Sequence, residues 1–195
     1  MFISLEGVDG SGKSTQARLL VEALGEGTVA IREPGGTEAA ERIRVLLADP
    51  NVELEALAEL MLFLAARADL TERVIRPALE AGRDVVADRF SDSSVAYQGA
   101  ARGLGVGEVI GLCDTATDGL WPDLTLLLRL DPETGLGRAE SDDRFEREGL
   151  GLQRAVAEAY EEIAVVASDR VEVIDASGSV EEVHQRVMEA VRDHA

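Results

Sequence analysis

Residues 7–15 read Gly7-Val8-Asp9-Gly10-Ser11-Gly12-Lys13-Ser14-Thr15, a G-x-x-x-x-G-K-S pattern. This pattern cradles phosphate where it joins a strand to a helix, and the flanking sequence supplies both. Phe2-Ile3-Ser4-Leu5-Glu6 is an apolar, strand-like run, and Ala17, Leu20, Val21 and Leu24 follow at helical spacing. The glycines permit backbone angles that a side chain would block, so the loop can turn its N–H groups towards an anion. The helix N-terminus adds partial positive charge. Every residue from Gly7 to Thr15 is therefore a candidate nucleotide contact. Lys13 is placed to reach the β/γ-phosphates and Ser14 to ligate Mg²⁺. A glycine-rich turn before an ordinary helix is the plain alternative, and the strand–loop–helix context weighs against it.

Lys13 is the single lysine beside 18 arginines. A compact ammonium fits between phosphates where a broad planar guanidinium does not, so the lone lysine stands where its geometry matters.

Outward from this loop, strands and helices alternate. Strands are expected at 2–6, 28–32, 84–88, 123–130 and 170–175, with the run at 84–88 reading as central in a parallel sheet. Helices are expected at 13–24, at 38–48 behind the cap Thr37, across 53–81, and at 91–97, 107–119, 152–167 and 179–193. A short helix should start at Pro132 with Asp131 as its cap. Pro77 predicts two helices or a bend near Arg76. The alternation indicates a doubly wound α/β fold, a five-stranded parallel sheet with flanking helices, in a single domain over 1–195. Ligands gather at the C-terminal strand ends of such sheets. The phosphate loop, Arg32-Glu33 and Asp88-Arg89 each follow a strand, so they should open onto one edge.

The formal net charge of −19 disfavours a nucleic-acid polymer as partner. It also requires local arginine clusters and Mg²⁺ to hold an anionic substrate. No run has membrane-spanning length and no signal-peptide pattern is visible, which points to a cytoplasmic protein. Cys113 alone excludes an internal disulfide and reads as a small apolar residue on a helix. His184 and His194 both fall in the last helix and read as surface or helix-end residues remote from the motifs.

Arg89 follows an apolar strand directly, Arg67 lies one helical turn from Phe63, and Arg138, Arg144 and Arg147 bracket a polar segment. An arginine-bearing lid over about 138–150 suits phosphoryl transfer, spreading charge over the moving group and excluding water. A phosphate acceptor needs no catalytic base, since its second pKa is about 6.

The chain resembles the bacterial thymidylate kinases. The resemblance rests on Leu5 to Thr15, Arg32-Glu33-Pro34-Gly35-Gly36-Thr37, Phe63-Leu64-Ala65-Ala66-Arg67, Asp88-Arg89-Phe90, Ser93-Ser94-Val95-Ala96-Tyr97-Gln98-Gly99 and Pro122 to Leu126. It implies a nucleoside monophosphate kinase fold and conversion of dTMP to dTDP with ATP and Mg²⁺, commonly as a homodimer. It implies that Asp9 contacts the sugar 3′-hydroxyl and helps arrange Mg²⁺, and that Asp88 assists Ser14 there, directly or through water. Phe63 would stack on thymine, Arg67 bond a thymine carbonyl, and Ser94 and Gln98 touch the base. Arg44 and Arg89 would hold the dTMP phosphate, Glu33 would lie in the loop over the sugar-phosphate, and Tyr97 would crowd the 2′-position. Without the resemblance, Phe63 and Tyr97 read as core and Arg44 as a solvated helix residue.

One departure stands out. Bacterial members usually carry several basic residues within the lid, whereas this lid is short and acidic, Ala139-Glu140-Ser141-Asp142-Asp143. The eukaryotic type places an arginine where this chain has Gly10. The transition-state donor is expected to be Arg144, then Arg138. Rival readings are a P-loop kinase for another monophosphate or deoxynucleoside, or a nucleotide-binding regulatory module without turnover.

Overall fold

The computed structural model describes residues 1–138 and 149–194. Its strands are β1 (Phe2–Glu6), β2 (Val29–Arg32), β3 (Val85–Asp88), β4 (Leu124–Arg129) and β5 (Val171–Asp175). They form one parallel sheet in the order β2-β3-β1-β4-β5. β3 is interior, as its apolar run suggests, but the centre of the sheet is β1. Burial on both faces marks any interior strand and cannot rank two of them. The order reverses at β1, so the loop after it sits at the switch point where ligands bind.

The helices are α1 (Lys13–Leu24), α2 (Glu38–Ala48), α3 (Ala56–Leu70), α4 (Arg76–Glu80), α5 (Ser91–Ser94), α6 (Val106–Thr117), α7 (Pro132–Arg138), α8 (Gly149–Val166) and α9 (Val180–His194). Local chemistry sets several ends. Thr37 Oγ1 accepts from Ala40 N at 3.1 Å and caps α2. Asp131 Oδ2 accepts from Thr134 N at 2.9 Å at the start of α7.

The stretch where Pro77 predicted two helices or a bend near Arg76 runs α3, a π turn at Thr71–Ile75, then α4. Arg76 N–H bonds back to Thr71 O. Pro77 has no N–H and its ring crowds the preceding turn; the wider turn absorbs both effects without breaking the rod. A second π turn, Val95–Ala101, continues α5 past its expected end at Tyr97.

One face of the sheet packs Ile3, Leu5, Leu126 and Leu128 with Leu20 of α1 and Val187 and Val191 of α9. The other buries Phe2, Val85 and Phe90 against Leu70 and Ile75, with the two phenylalanine rings edge-on at 4.9 Å. Burying each large apolar side chain contributes about 1.5–3 kcal/mol. This frame holds the C-terminal ends of β1, β2 and β3 together.

Candidate active site

A cavity of about 740 Å³ opens at those strand ends. Its lining includes Asp9, Gly10, Gly12, Lys13, Ser14 and Thr15 from the phosphate loop, with Glu33, Arg44, Phe63, Arg67, Asp88, Arg89, Ser94, Tyr97, Gln98 and Arg138. Residues proposed from sequence for both substrates therefore meet in one space.

Gly7, Gly10 and Gly12 all take positive φ. Lys13 Nζ turns back onto Val8 O (2.7 Å), Gly7 O (3.1 Å) and Ser11 Oγ (3.4 Å). Burial, then the nearby Arg89 charge, lowers its pKa to about 8. Ser14 Oγ donates to Asp88 Oδ2 at 2.5 Å. A buried ammonium resting on loop carbonyls, at a helix N-terminus, fits a nucleotide phosphate chain. Mg²⁺ fits as well. The described residues contain no cluster of three or more His, Cys, Asp or Glu suited to a metal. Mg²⁺ commonly takes only one or two protein oxygens, completing its shell with phosphate and water; Ser14 and Asp88 supply such a pair.

The next layer centres on Arg89. Its backbone φ is +73°, a strained region for a non-glycine residue and one that recurs at functional sites. Its N–H bonds Leu5 O at 3.1 Å across the strand ends. The guanidinium pairs with Asp9 Oδ1, donates to Ser93 Oγ (3.1 Å), Gly7 O and Tyr97 Oη (3.3 Å each), and lies 5.1 Å over the Tyr97 ring. Burial opposes its charge, but Tyr97, Asp9, Tyr160 and Glu6 outweigh it and hold Arg89 protonated. Burial alone would raise the Asp9 pKa; Arg89 and Lys13 reverse this and lower it.

Sequence reasoning missed three members of this layer. Gln153 on α8 clamps Asp9 twice, accepting from Asp9 N at 3.1 Å and donating to Asp9 Oδ2 at 2.6 Å. Glu6, wholly buried at the end of β1, accepts from Phe90 N (2.7 Å), Ser93 Oγ (2.6 Å) and Tyr160 Oη (2.7 Å). Burial, then repulsion from Asp92, raises its pKa to about 7. A carboxylate closing an apolar strand beside a phosphate loop was the available signal for Glu6. Gln153 and Tyr160 had none, because periodicity places them on the buried face without naming a partner.

The cavity lining also includes the residues expected from sequence to meet the base. Arg67 is 1% exposed and pairs with Glu33 at 2.7 Å. It also donates to Ser94 Oγ (3.1 Å), Phe90 O (3.1 Å) and the weak acceptor Cys113 Sγ (3.5 Å). Glu33 lines the cavity and pairs with Arg67 there. Cys113 is buried on α6 as expected, yet touches a site arginine. Gln98 Nε2 donates to Glu59 Oε1 at 2.7 Å. Arg44 Nη1 donates to Pro34 O at 3.0 Å.

Arg138 ends α7 at the cavity, whereas Arg144, Arg147 and the acidic lid segment lie outside the described residues. The phosphate loop and α7 meet backbone to backbone. A Cβ on Gly10 would collide with Gly135 O, and one on Gly135 with Asp9 O. His184 corrects an expectation, since it is not remote from the motifs. It is half-buried, and its Nδ1 lies 3.2 Å from Oε1 of Gln16, the residue next to Thr15. Gln16 also holds Val180 O at 3.0 Å, because α1 and α9 pack side by side.

A switch-point phosphate loop opening onto a cavity lined by Arg44, Arg67, Arg89 and Arg138 defines a P-loop kinase of small phosphorylated substrates. Comparison with known proteins agrees. The thymidylate kinase family profile matches residues 5–187, and the chain belongs to that family. It is 48% identical to a thymidylate kinase of Symbiobacterium thermophilum, across 99% of this chain and 93% of that protein. It is 42% identical to one of Deinococcus radiodurans, across 99% and 97%. The crystal structure of thymidylate kinase from Ehrlichia chaffeensis superposes with a TM-score of 0.82 at 34% identity, covering 98% of both chains.

Proposed function

We propose that this protein transfers the γ-phosphoryl group of ATP in line to the phosphate of dTMP, giving dTDP and ADP. The observation that carries the reading is the shared cavity, with Lys13 and Ser14 at one end, the Asp9–Arg89 pair between, and Phe63, Arg67 and Gln98 at the other. Lys13 leaves its loop carbonyls for the β/γ-phosphates. Ser14 and Asp88 would hold Mg²⁺, which would supply charge neutralisation on the phosphate chain. Arg89, charged and pre-oriented by Asp9 and Ser93, binds the acceptor phosphate with Arg44. That phosphate is largely dianionic at pH 7, with a second pKa of about 6. It attacks without a general base, and the task left to the protein is to screen two anions. Arg138, together with Arg144 in the lid, is positioned in sequence to serve the transferring group.

Phe63 offers a flat face to thymine, and Gln98 and Ser94 contact its edge. A thymine carbonyl competes best for the Arg67 N–H now directed at Cys113 Sγ, the weakest of its acceptors. Tyr97 Oη sits by Asp9 and Arg89, where its bulk disfavours a ribose 2′-hydroxyl. The domain is proposed to act in the cytoplasm as a homodimer. The apolar residues Leu57 and Met61 on α3 and Val106 and Ile110 on α6, all exposed in the single chain, support pairing.

The test is ADP release from Mg-ATP with dTMP, dUMP, ribo-TMP, dCMP, dGMP or no acceptor. A strong preference for dTMP is expected. Equal turnover of several acceptors overturns the base-shell assignment, and no acceptor-dependent turnover overturns the reaction.

A further inference from the structure

Glu59 on α3 is a carboxylate with 1% exposure beneath the base end of the cavity. Its Oε1 accepts from Gln98 Nε2 at 2.7 Å and from Arg102 Nε at 2.6 Å, and its Oε2 from Arg102 Nη2 at 3.0 Å. The Arg102 ion pair compensates for burying the charge. An amide can turn either end to a neighbour, but an ionised carboxylate only accepts. The Gln98 NH₂ must therefore face Glu59. Gln98 Oε1, on the other side of the amide, takes no hydrogen bond from any described residue, and Gln98 lines the cavity. The cavity is thus offered a fixed acceptor.

We propose that Glu59, braced by Arg102, is a positioning residue that sets base specificity by locking the Gln98 amide with its carbonyl towards the base. The proposal rests on the reading of Gln98 as a base contact. Thymine and uracil carry an N3–H donor that matches this acceptor. Cytosine carries a bare N3 acceptor there, so its lone pair meets the Gln98 oxygen. A freely rotating Gln98 would serve either base. With Glu59 in place, cytosine leaves buried polar groups unpaired, the arrangement that supports the largest discrimination between similar substrates.

The experiment measures kcat and KM for dTMP, dUMP and dCMP in the wild type and in Glu59→Leu, Glu59→Asp and Glu59→Gln. Leu removes the acceptor. Asp withdraws it by one methylene while keeping charge for Arg102. Gln retains an oxygen at the Oε1 position. Leu and Asp are expected to narrow the dTMP:dCMP ratio of kcat/KM by roughly tenfold or more, mostly through KM, as expected when a buried hydrogen-bonding group is freed. Gln should stay within about threefold of the wild-type ratio, because its carbonyl still fixes Gln98. The dTMP:dUMP ratio should not move in any variant, since both bases present N3–H; general distortion of the pocket would move it. A wild-type dTMP:dCMP ratio in Glu59→Asp, whether or not Glu59→Leu folds, overturns the proposal. Gln98→Leu separates the two layers. If it leaves the dTMP KM unchanged, the base contact itself is wrong. If it raises that KM while the Glu59 variants behave as wild type, only the positioning role is wrong.

Discussion

Glu33→Ala isolates a buried ion pair in the wall of the cavity. Arg67 is 1% exposed and Glu33 5%, so deleting the carboxylate leaves a guanidinium charge without its counter-ion. Breaking a buried pair from one side costs about 3–5 kcal/mol. Part of this is offset, because Glu33 Oε1 is buried with no hydrogen-bond partner among the described residues. That orphan oxygen already costs the folded state about 1–3 kcal/mol, and it disappears with the side chain. Phe90 O and Ser94 Oγ still accept from Arg67. The net loss is then about 2 kcal/mol, or a fall in Tm of about 4–8 °C for a chain of this size. Thermal unfolding followed by circular dichroism reads it directly. The double variant Glu33→Ala/Arg67→Met removes both charges and should recover part of the loss, giving a coupling energy of more than about 1 kcal/mol in the double-mutant cycle. A single variant that melts within a degree of the wild type, or a double variant whose loss equals the sum of the singles, would refute the reasoning.

Two pH experiments follow from the other buried groups. The Glu6 pKa is raised from 4.5 to about 7 in the folded state, so the folded protein binds the proton more tightly than the unfolded chain. The stability this provides is complete below about pH 4.5 and is lost as pH rises through 7, a span worth about 3 kcal/mol. Glu6→Gln should melt several degrees above the wild type at pH 8 and show no such gain at pH 4.5; a gain independent of pH contradicts the assignment. Lys13, lowered to about 8 before nucleotide binds, must be charged to meet phosphate. Calorimetry should show ADP affinity weakening above pH 8 by up to about tenfold per unit, and a flat profile to pH 9.5 counts against it.

The architecture was legible because its signals are local. The 7–15 stretch, the alternating strand and helix patterns, and the Thr37 and Asp131 caps each depend on residues within a few positions. Boundaries shifted by only a few residues, as at β2 and α6. What escaped was long-range or geometric. The π turn at Thr71–Ile75 resolves a conflict between Pro77 and continuous packing, and only the packing decides how. The rank of β1 over β3 depends on strand order, which burial does not encode. Gln153 reaches Asp9 across 144 positions of chain, and His184 reaches Gln16 across 168, distances over which spacing carries no information. The proposal of a base shell came from the family pattern, since Phe63 and Tyr97 alone look like ordinary core.

The meeting of Gly10 with Gly135 bears on how such enzymes diverge. The eukaryotic type carries its arginine where this chain has Gly10. Here that residue cannot be gained by one substitution, because even a methyl group at position 10 would strike the carbonyl of Gly135. Helix α7 would have to retreat first, and α7 also carries Arg138 to the edge of the lid. A side chain gained at position 10 would therefore displace Arg138 in the same step. The two sequences are thus separated by a shift of backbone as well as by a side chain.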